Sequence, residues 1–297
     1  MKKPIFTGAG CAIVTPFTGK DLEKINYSLF ETLIEEQINN GTDAIIVCGT
    51  TGEKSTLADT ENNELIRAAV SAASKRVPVI AGTGSNDTKK AVKLSNEAET
   101  LGVDGLLMVT PCYNKCSQQG LIDSFTYIAK RVSSPIILYN VPSRTGVNIK
   151  PETYAALSEL PLINGIKEAN GDIAAFTKTV ALCGDSLNYY SGNDDQITSF
   201  MSLGAVGVIS VLSNIVPAIA HKIVENALKG DFKASARLQT EYSDLCSALF
   251  CDVNPIPVKA ALKLMGKDIG GCRLPLTELN ENNMHTLKCA LKNHGII

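Results

Sequence analysis

Residues 162–169, LINGIKEA, and the segments that follow them carry the clearest indication of the fold in this sequence. Residues 162–167 are a short apolar, β-branched run, which is typical of a buried strand. A helix-period pattern follows at residues 173–183, and a second strand-like run follows at residues 187–191. A strand, a helix and a strand in this order predict two parallel strands joined by a helical crossover.

The same alternation of strand and helix occurs eight times along the chain. Strand-like runs cover residues 11–15, 43–48, 77–81, 105–109, 135–139, 162–167, 187–191 and 207–211. Helix patterns cover residues 25–39, 61–74, 88–101, 119–131, 152–160, 173–183 and 196–203, and the eighth begins near residue 215. Because eight such units close a parallel sheet on itself, we predict an α/β fold, a (β/α)8 TIM barrel. An open doubly wound sheet is the alternative, but residues 15–19, TPFTG, lack its G-x-G-x-x-G pattern.

The strand pattern stops near residue 225. Residues 231–250, 255–265 and 278–291 read as helices that are separated by glycine and proline. We therefore predict a barrel over residues 1–225 that carries the active site, and a C-terminal helical domain over residues 226–297.

The composition is that of a globular protein without a strong charge of either sign. The chain has 297 residues, of which 44% are hydrophobic, with a net charge of −2 and a pI near 6.0. Such a charge favours neither nucleic acid nor an anionic membrane as a partner. No apolar run is long enough for a signal peptide or a membrane span, so we expect a cytoplasmic location.

The cysteines and histidines give no sign of a disulfide framework, a metal site or a catalytic triad. The nine cysteines are odd in number and spread along the chain. Cys112 and Cys116 form one of two close pairs, and neither pair has histidines in zinc-binding spacing. None of the three histidines adjoins a serine or cysteine motif. We therefore expect no metal site.

Lys167 is the last residue of the apolar run at residues 162–167. A lysine at the end of a buried strand loses hydration, which favours its neutral amine. A neutral amine attacks carbonyl groups, so Lys167 is a candidate for Schiff-base chemistry. The alternative is a lysine that extends its ammonium group into solvent at the end of the strand.

Polar motifs also follow several other predicted strands. They are CGTTGE (48–53), TPCYN (110–114), YNVPSRTG (139–146) and SGNDD (191–195). The carboxyl ends of barrel strands meet at one rim, where the active site of this fold lies. Each motif alone can be a turn or a helix cap, but together they predict a site at the rim.

The chemistry that these residues permit begins with addition of Lys167 to a keto group. Loss of water gives an iminium, which eases deprotonation of the neighbouring carbon to an enamine. A tyrosine with threonine hydroxyls can move the protons. Arg144 offers a planar fork for a substrate carboxylate, and backbone N–H groups of the Gly-Thr-Thr turn can hold a second one.

These motifs resemble those of the dihydrodipicolinate synthase (4-hydroxy-tetrahydrodipicolinate synthase) family of pyruvate-dependent class I aldolases. The matching segments are GTTGE (49–53), YN (113–114), YNVPSRTG (139–146), IKEA (166–169), SG (191–192), AVGVIS (205–210) and NPIPVK (254–259). The resemblance implies a Schiff-base-forming lyase of lysine and diaminopimelate biosynthesis. Its substrates are expected to be pyruvate and L-aspartate 4-semialdehyde, and the resemblance implies that it needs no metal and no organic cofactor.

The resemblance also implies a role for individual residues. Lys167 is expected to form the Schiff base with pyruvate, and Tyr139 to act as the general acid and base. Thr51 and Tyr113 are expected to complete the proton relay, with Tyr113 reaching in from a neighbouring subunit of a homotetramer, a dimer of dimers. Arg144 is expected to bind the carboxylate of the semialdehyde. The substrate pocket is expected to contain Thr50, Thr51, Arg144, Gly192 and Ile209.

The sequence departs from this family beside the pocket where lysine inhibits some members. Cys112 stands where an aromatic residue is common, and Cys116 stands where a proline is common. Relatives that lysine inhibits have small residues, histidines and a glutamate around that pocket. The corresponding residues here are Lys54, Ser55, Asp59, Asn62 and Lys90. Because two cations repel a cationic ligand, we predict weak or absent inhibition by lysine.

Two alternative functions remain open from the sequence. A related pyruvate-dependent enzyme, such as N-acetylneuraminate lyase or a keto-deoxy-sugar-acid aldolase, would share Lys167 and Tyr139. Arg144 argues against it, because sugar-type substrates present hydroxyls there rather than a short carboxylate. A non-catalytic barrel with a binding role would have no need to keep Lys167, Tyr139 and Thr51 together.

Overall fold

The computed structural model describes residues 2–297 and contains a closed barrel of eight parallel strands. The strands are β1 (Gly8–Ala12), β2 (Ala44–Val47), β3 (Val79–Gly82), β4 (Gly105–Val109), β5 (Ile136–Asn140), β6 (Ile163–Glu168), β7 (Asn188–Ser191) and β8 (Gly207–Ser210). Each strand pairs with its neighbours in chain order, and β8 pairs with β1 to close the barrel. The predicted (β/α)8 fold is confirmed.

A helix follows each strand and covers the outside of the barrel. These helices are α1 (Tyr27–Asn39), α2 (Asp59–Ala73), α3 (Thr88–Thr100), α4 (Gln118–Ala129), α5 (Pro151–Ser158), α6 (Ile173–Cys183), α7 (Ile197–Ser202) and α8 (Pro217–Leu228). A short helix at Pro142–Thr145 lies between β5 and α5. A small antiparallel hairpin pairs the two-residue strands Phe17–Thr18 and Lys24–Ile25. No helix within residues 2–297 combines the length and the apolar character that a membrane span requires.

Two clusters of buried side chains form the core. The larger cluster lies between strands and helices, and the smaller one fills the barrel with side chains such as Ile46, Leu107, Ile137 and Ile209. Tyr139 belongs to this inner cluster. Side chains alternate between the two faces of a strand, so the inward position of Tyr139 directs its register partner on β6, Lys167, into the barrel as well.

The first strand differs from the sequence prediction. The apolar run predicted a strand at residues 11–15, whereas β1 begins at Gly8 and ends at Ala12. Glycine lowers strand propensity, so the pattern misses the start of β1. Glycine is required at Gly207, the register partner of Gly8, because a Cβ there would lie 2.1 Å from the Gly8 carbonyl oxygen.

The C-terminal region is helical, as predicted, but its first helix is broken. The sequence predicts one helix over residues 231–250, which is wrong, because α9 (Phe232–Glu241) and α10 (Ser243–Ala248) flank Tyr242. The Tyr242 backbone turns away from helical geometry, and its ring stacks on His294 with the ring centroids 4.3 Å apart. The helices α11 (Ile256–Leu264) and α12 (Glu281–Asn293) follow. The domain division at residues 225 and 226 stays a prediction.

Candidate active site

Lys167 lies near the carboxyl end of β6 and points into the barrel. Its register partners are Tyr139 on β5 and Tyr190 on β7. Only 6% of the residue is exposed, and the Lys167 Nζ lies 4.3 Å from the centroid of the Tyr139 ring. The structure therefore places the amine against the phenol ring and inside the barrel, rather than in solvent.

The environment of Lys167 makes its amine a better nucleophile than that of an ordinary lysine. Burial lowers the pKa of Lys167 to about 8; the negative charge of Asp194 opposes this effect, and the positive charge of Arg144 adds to it. With a pKa near 8, about one amine in ten is neutral at pH 7, against roughly one in 3,000 for an unperturbed lysine. This difference favours carbonyl addition at neutral pH.

Tyr139 is the tyrosine whose ring lies against the amine. It is 7% exposed, and burial raises the pKa of its phenol. The positive charge of Arg144 and the nearby Thr50 hydroxyl both lower that pKa, which offsets part of the effect of burial. A phenol between opposing influences can give up a proton and take it back, as a general acid and base must.

The two threonines of the Gly-Thr-Thr turn face different partners. Thr50 interacts with the Tyr139 phenol, whereas the buried Thr51 Oγ1 accepts a hydrogen bond of 2.9 Å from Asn254 Nδ2. The family resemblance predicts that Thr51, together with Tyr113, completes the proton relay of Tyr139, and this stays a prediction. Within this chain the threonine beside the phenol is Thr50, and Thr51 is held by the C-terminal region.

Arg144 lies in the short helix that follows β5 and is exposed at the mouth of the barrel. Its Nη2 donates a hydrogen bond of 3.0 Å to the Asn254 carbonyl oxygen. Asn254 thus fixes Arg144 through its backbone and Thr51 through its side chain. Sequence reasoning noted Asn254 as part of a matching motif and gave it no role. The signal that could have found it is the position of NPIPVK (254–259) outside the barrel pattern.

The GTTGE turn after β2 is anchored by a buried ion pair. Glu53 Oε1 lies 2.7 Å from Lys259 Nζ on α11, and Glu53 Oε2 accepts a hydrogen bond of 2.9 Å from the backbone N–H of Arg273. The two paired side chains are 1% and 2% exposed. The C-terminal helices therefore hold the turn that carries Thr50 and Thr51 in place.

The remaining predicted site residues lie in three different environments. Ile209 is fully buried in the inner cluster with Tyr139. The Gly192 N–H donates to the Glu168 carbonyl oxygen, and a Cβ at Gly192 would lie 2.7 Å from the Ala169 Cβ, so a larger residue would push β6 and β7 apart. Tyr113 has a positive φ of 66° and is 93% exposed, so the structure does not bring it to Tyr139 within one chain.

A cavity of about 440 Å³ lies beside Tyr139. Thr50, Tyr139 and Arg144, which belong to the candidate active site, line it. Lys54, Lys90, Cys112 and other residues of the predicted regulatory pocket line the same cavity. In this chain the candidate active site and that pocket therefore share one continuous space.

Two further buried acids near Lys167 were not singled out by the sequence. Glu168 points away from the barrel interior and accepts hydrogen bonds from Asn140 Nδ2 and the Tyr154 hydroxyl. Asp194 follows β7 and is 3% exposed. Residues 2–297 contain no group of three or more histidine, cysteine or acidic side chains placed to hold a metal ion.

A buried lysine with a lowered amine pKa, against a phenol at the carboxyl-terminal mouth of a (β/α)8 barrel, defines an enzyme of the Schiff-base-forming, class I aldolase type. Comparison with known proteins identifies the family: a profile of the Dihydrodipicolinate synthetase family matches residues 5–294, and the chain belongs to that family.

Similar proteins support the same family and the same fold. The chain is 53% identical to a 4-hydroxy-tetrahydrodipicolinate synthase of Lachnoclostridium phytofermentans over 99% of each chain. It is 50% identical to one of Acetivibrio thermocellus over the full length of both. The structure of a chloride-inhibited dihydrodipicolinate synthase from Acinetobacter baumannii, complexed with pyruvate, superposes with a TM-score of 0.95 at 42% identity, covering 98% of this chain and 99% of that one.

These comparisons confirm the enzyme class that the sequence predicts. The chain is a lyase of the class I aldolase type, with the 4-hydroxy-tetrahydrodipicolinate synthase function in lysine and diaminopimelate biosynthesis that its family has.

Proposed function

We propose that this chain condenses pyruvate with L-aspartate 4-semialdehyde through a Schiff base on Lys167. The observation that carries the proposal is the buried Lys167 amine 4.3 Å from the centroid of the Tyr139 ring. The presence of pyruvate in the complex of the Acinetobacter baumannii relative supports the first substrate. Borohydride reduction in the presence of pyruvate tests it directly, because it fixes the adduct on the lysine that forms it.

The first half of the reaction takes place at Lys167. Its nitrogen forms a bond to the keto carbon of pyruvate, and the carbonyl oxygen leaves as water with one proton from the amine and one from an acid such as Tyr139. The iminium then withdraws electrons, and a base removes a proton from the pyruvate methyl group to give an enamine. We propose that Tyr139 moves these protons, and that Thr50 and Thr51 together with Tyr113 of a neighbouring subunit connect it to solvent.

The second half requires a site for an amino-acid aldehyde. We propose that the enamine carbon attacks the aldehyde of the semialdehyde while Arg144 binds its carboxylate. Arg144 suits this role because it lies at the mouth of the barrel, where its position is fixed by the Asn254 carbonyl oxygen. A guanidinium fork binds a carboxylate with two parallel hydrogen bonds. We further propose that Gly192 and Ile209 complete the pocket wall.

The Arg144→Ala variant separates the two halves. We expect it to keep pyruvate trapping by borohydride within about threefold of the native protein and to lose about 10²- to 10³-fold in kcat/KM for the semialdehyde, since a charged, bidentate contact is removed. A coupled assay with both substrates measures the kcat/KM for the semialdehyde. The matched control is Arg131→Ala, which removes an exposed arginine stacked on Tyr127 and should leave both readouts unchanged. Equal loss of trapping and condensation in Arg144→Ala would contradict the assignment.

Assembly and location extend the same proposal. We propose that the active form is a homotetramer, a dimer of dimers, because Tyr113 is 93% exposed in the single chain and can contact a site only in another subunit. We also propose a cytoplasmic location, and a division into a catalytic barrel over residues 1–225 and a helical domain over residues 226–297.

The part of the cavity wall formed by Lys54 and Lys90 bears on regulation. We expect lysine to inhibit weakly or not at all at pH 7. Lys54 Nζ lies in this cavity and donates a hydrogen bond of 2.5 Å to the Gly84 carbonyl oxygen, while Lys90 Nζ lies 3.2 Å from Asp59. Burial lowers the pKa of Lys54 to about 8, so Lys54 is mostly charged at pH 7 and repels a second ammonium group.

The measurement is the initial rate at pH 7 with lysine raised to about 10 mM, which exceeds the concentrations at which most enzymes half-saturate with a small ligand. The Lys54→Ala, Lys90→Glu double variant removes one cation and replaces another with an acid, so we expect it to be more sensitive to lysine. Its control is Lys54→Ala with Lys89→Glu, which places the same new acid on the exposed surface of α3. Strong inhibition of the native protein at a tenth of that lysine concentration would overturn the prediction.

A further inference from the structure

Asp194 is a buried carboxylate that the proposed reaction does not yet use. It follows β7 at the mouth of the barrel and is 3% exposed. Its Oδ2 accepts hydrogen bonds of 2.9 Å from the backbone N–H groups of Val211 and Leu212, directly after β8. Its Oδ1 is equally buried and has no hydrogen-bond partner among residues 2–297. A buried charged oxygen without a partner costs free energy, so its retention calls for a reason.

Asp194 lies close enough to Lys167 for the two charges to interact. Lys167 is level with Tyr190 on β7, and the chain reaches Asp194 four residues later at the same rim. The carboxylate favours the protonated form of Lys167, and the ammonium favours the ionised form of Asp194. Of the other groups around the amine, Arg144 is a cation that lowers the pKa of Lys167, and Tyr139 is a neutral phenol.

The other titratable groups near Asp194 do not compensate its charge. The thiols of Cys11 and Cys246 are buried, and burial raises the pKa of both, so they stay neutral at pH 7. Asp195 is exposed and carries the same sign of charge. The Ser210 hydroxyl lies near the carboxylate and, with the two backbone N–H groups, only partly offsets the burial that raises the pKa of Asp194. Among residues 2–297, the cation whose charge acts on Asp194 is therefore Lys167.

The reaction requires a positive charge at that position. The neutral amine becomes an iminium, which activates the pyruvate methyl group only while it keeps its charge, because release of the N–H proton would leave a neutral imine that withdraws electrons less strongly. A cation that forms in a buried site needs an opposite charge close by, because the surroundings solvate it poorly. A carboxylate held in place by two backbone donors provides that charge without reorganising.

We propose that Asp194 is the counter-ion of the iminium on Lys167, a positioning residue that stabilises this intermediate through its charge. The inference rests on the proposed role of Lys167. The competing explanation is that Asp194 only braces the turn after β8 through Val211 and Leu212. Charge and shape separate the two explanations, because Asp194→Asn keeps an acceptor oxygen for both N–H groups and removes the charge, whereas Asp194→Glu keeps the charge and changes the shape.

The experiment measures adduct formation between pyruvate and the full-length protein, trapped with cyanoborohydride and counted by mass spectrometry. For Asp194→Asn we expect the pH at half-maximal initial trapping rate to fall by on the order of one unit, since loss of the carboxylate favours the neutral amine. At pH 9, where the amine is neutral in both proteins, we expect the pyruvate concentration for half-saturation to rise on the order of tenfold, because the iminium has lost its counter-ion. Asp194→Glu should stay closer to the native protein in both readouts.

The matched control is Asp195→Asn, which changes the net charge equally at the neighbouring, exposed carboxylate. It should leave the midpoint and the half-saturation unchanged. Midpoints are normalised to the maximal rate, so partial unfolding of a variant lowers the amplitude and does not move them. If Asp194→Asn kept the pH midpoint and the half-saturating pyruvate concentration of the native protein, and the native protein still trapped pyruvate, the counter-ion role of Asp194 would be overturned. The proposed function would remain intact. No trapping by the native protein would overturn both.

Discussion

Replacing Lys167 with methionine is expected to abolish turnover, with a loss of at least about 10³-fold in kcat, because it removes the amine that we propose forms the covalent intermediate. Methionine retains much of the volume of the side chain within the barrel. Since burial of a charged amine costs free energy, the free energy of unfolding should stay within about 1 kcal/mol of the native value or rise. Loss of activity without loss of stability would assign Lys167 to chemistry.

The matched control for this variant is Lys54→Met. Burial lowers the pKa of Lys54 to about 8 as well, and Lys54 lines the same cavity as Tyr139 and Arg144. If a lowered pKa near the site were enough for reaction with pyruvate, Lys54 would therefore react as readily as Lys167. We expect the reduced pyruvate adduct only on the peptide that contains Lys167, and most of the turnover to survive in Lys54→Met. An adduct on Lys54, or native activity in Lys167→Met, would refute the mechanism.

The pH dependence provides a second readout on the native protein. The neutral amine reacts, and burial places the pKa of Lys167 near 8. The initial rate of trapping should therefore rise about tenfold per pH unit below pH 8 and level off above it. A rate that keeps rising to pH 10 would mean that the reacting amine has the pKa of an ordinary surface lysine.

The barrel and its rim could be predicted because their signals are local. Each strand is a short apolar run, each helix has its own period, and the polar motifs stand directly after the strands. Lys167 was recognisable for the same reason, since a lysine at the end of an apolar run is unusual without any knowledge of its neighbours. The register then brings Tyr139 beside it, because the two residues occupy equivalent positions on adjacent strands.

The supports of the site could not be predicted, because they join distant parts of the chain. Asn254 and Thr51 are 203 residues apart, and Lys259 and Glu53 are 206 residues apart. A local pattern assigns Lys259 to an ordinary helix, where a lysine is usually exposed. Asp194 reads as the start of a helix until its backbone donors after β8 are known. At the break in the helical region, the Tyr242 ring stacks on His294, which lies near the end of the chain and is also distant in sequence.

The ion pair between Lys259 and Glu53 leads to the largest expected change in stability. Lys259→Met removes one partner and leaves the Glu53 carboxylate buried, with the Arg273 backbone N–H as a remaining partner. An uncompensated buried charge costs about 3–5 kcal/mol, which is a large share of the stability of a typical domain. Chemical denaturation at pH 7 should show this loss, together with reduced turnover, because Glu53 anchors the turn that carries Thr50 and Thr51.

The double variant Glu53→Gln, Lys259→Met decides whether the unpaired charge of Glu53 or the changed shape of the side chain at position 259 causes the loss of stability. It removes both charges, so the unpaired carboxylate no longer exists, and we expect it to recover all but about 1–2 kcal/mol of the loss. The control pair is Lys178 and Glu152, whose side chains are each 59% exposed. Lys178→Met should cost less than about 1 kcal/mol, since solvent screens that pair. If Lys259→Met were no more costly than Lys178→Met, the buried pair would not be what holds the GTTGE turn in place.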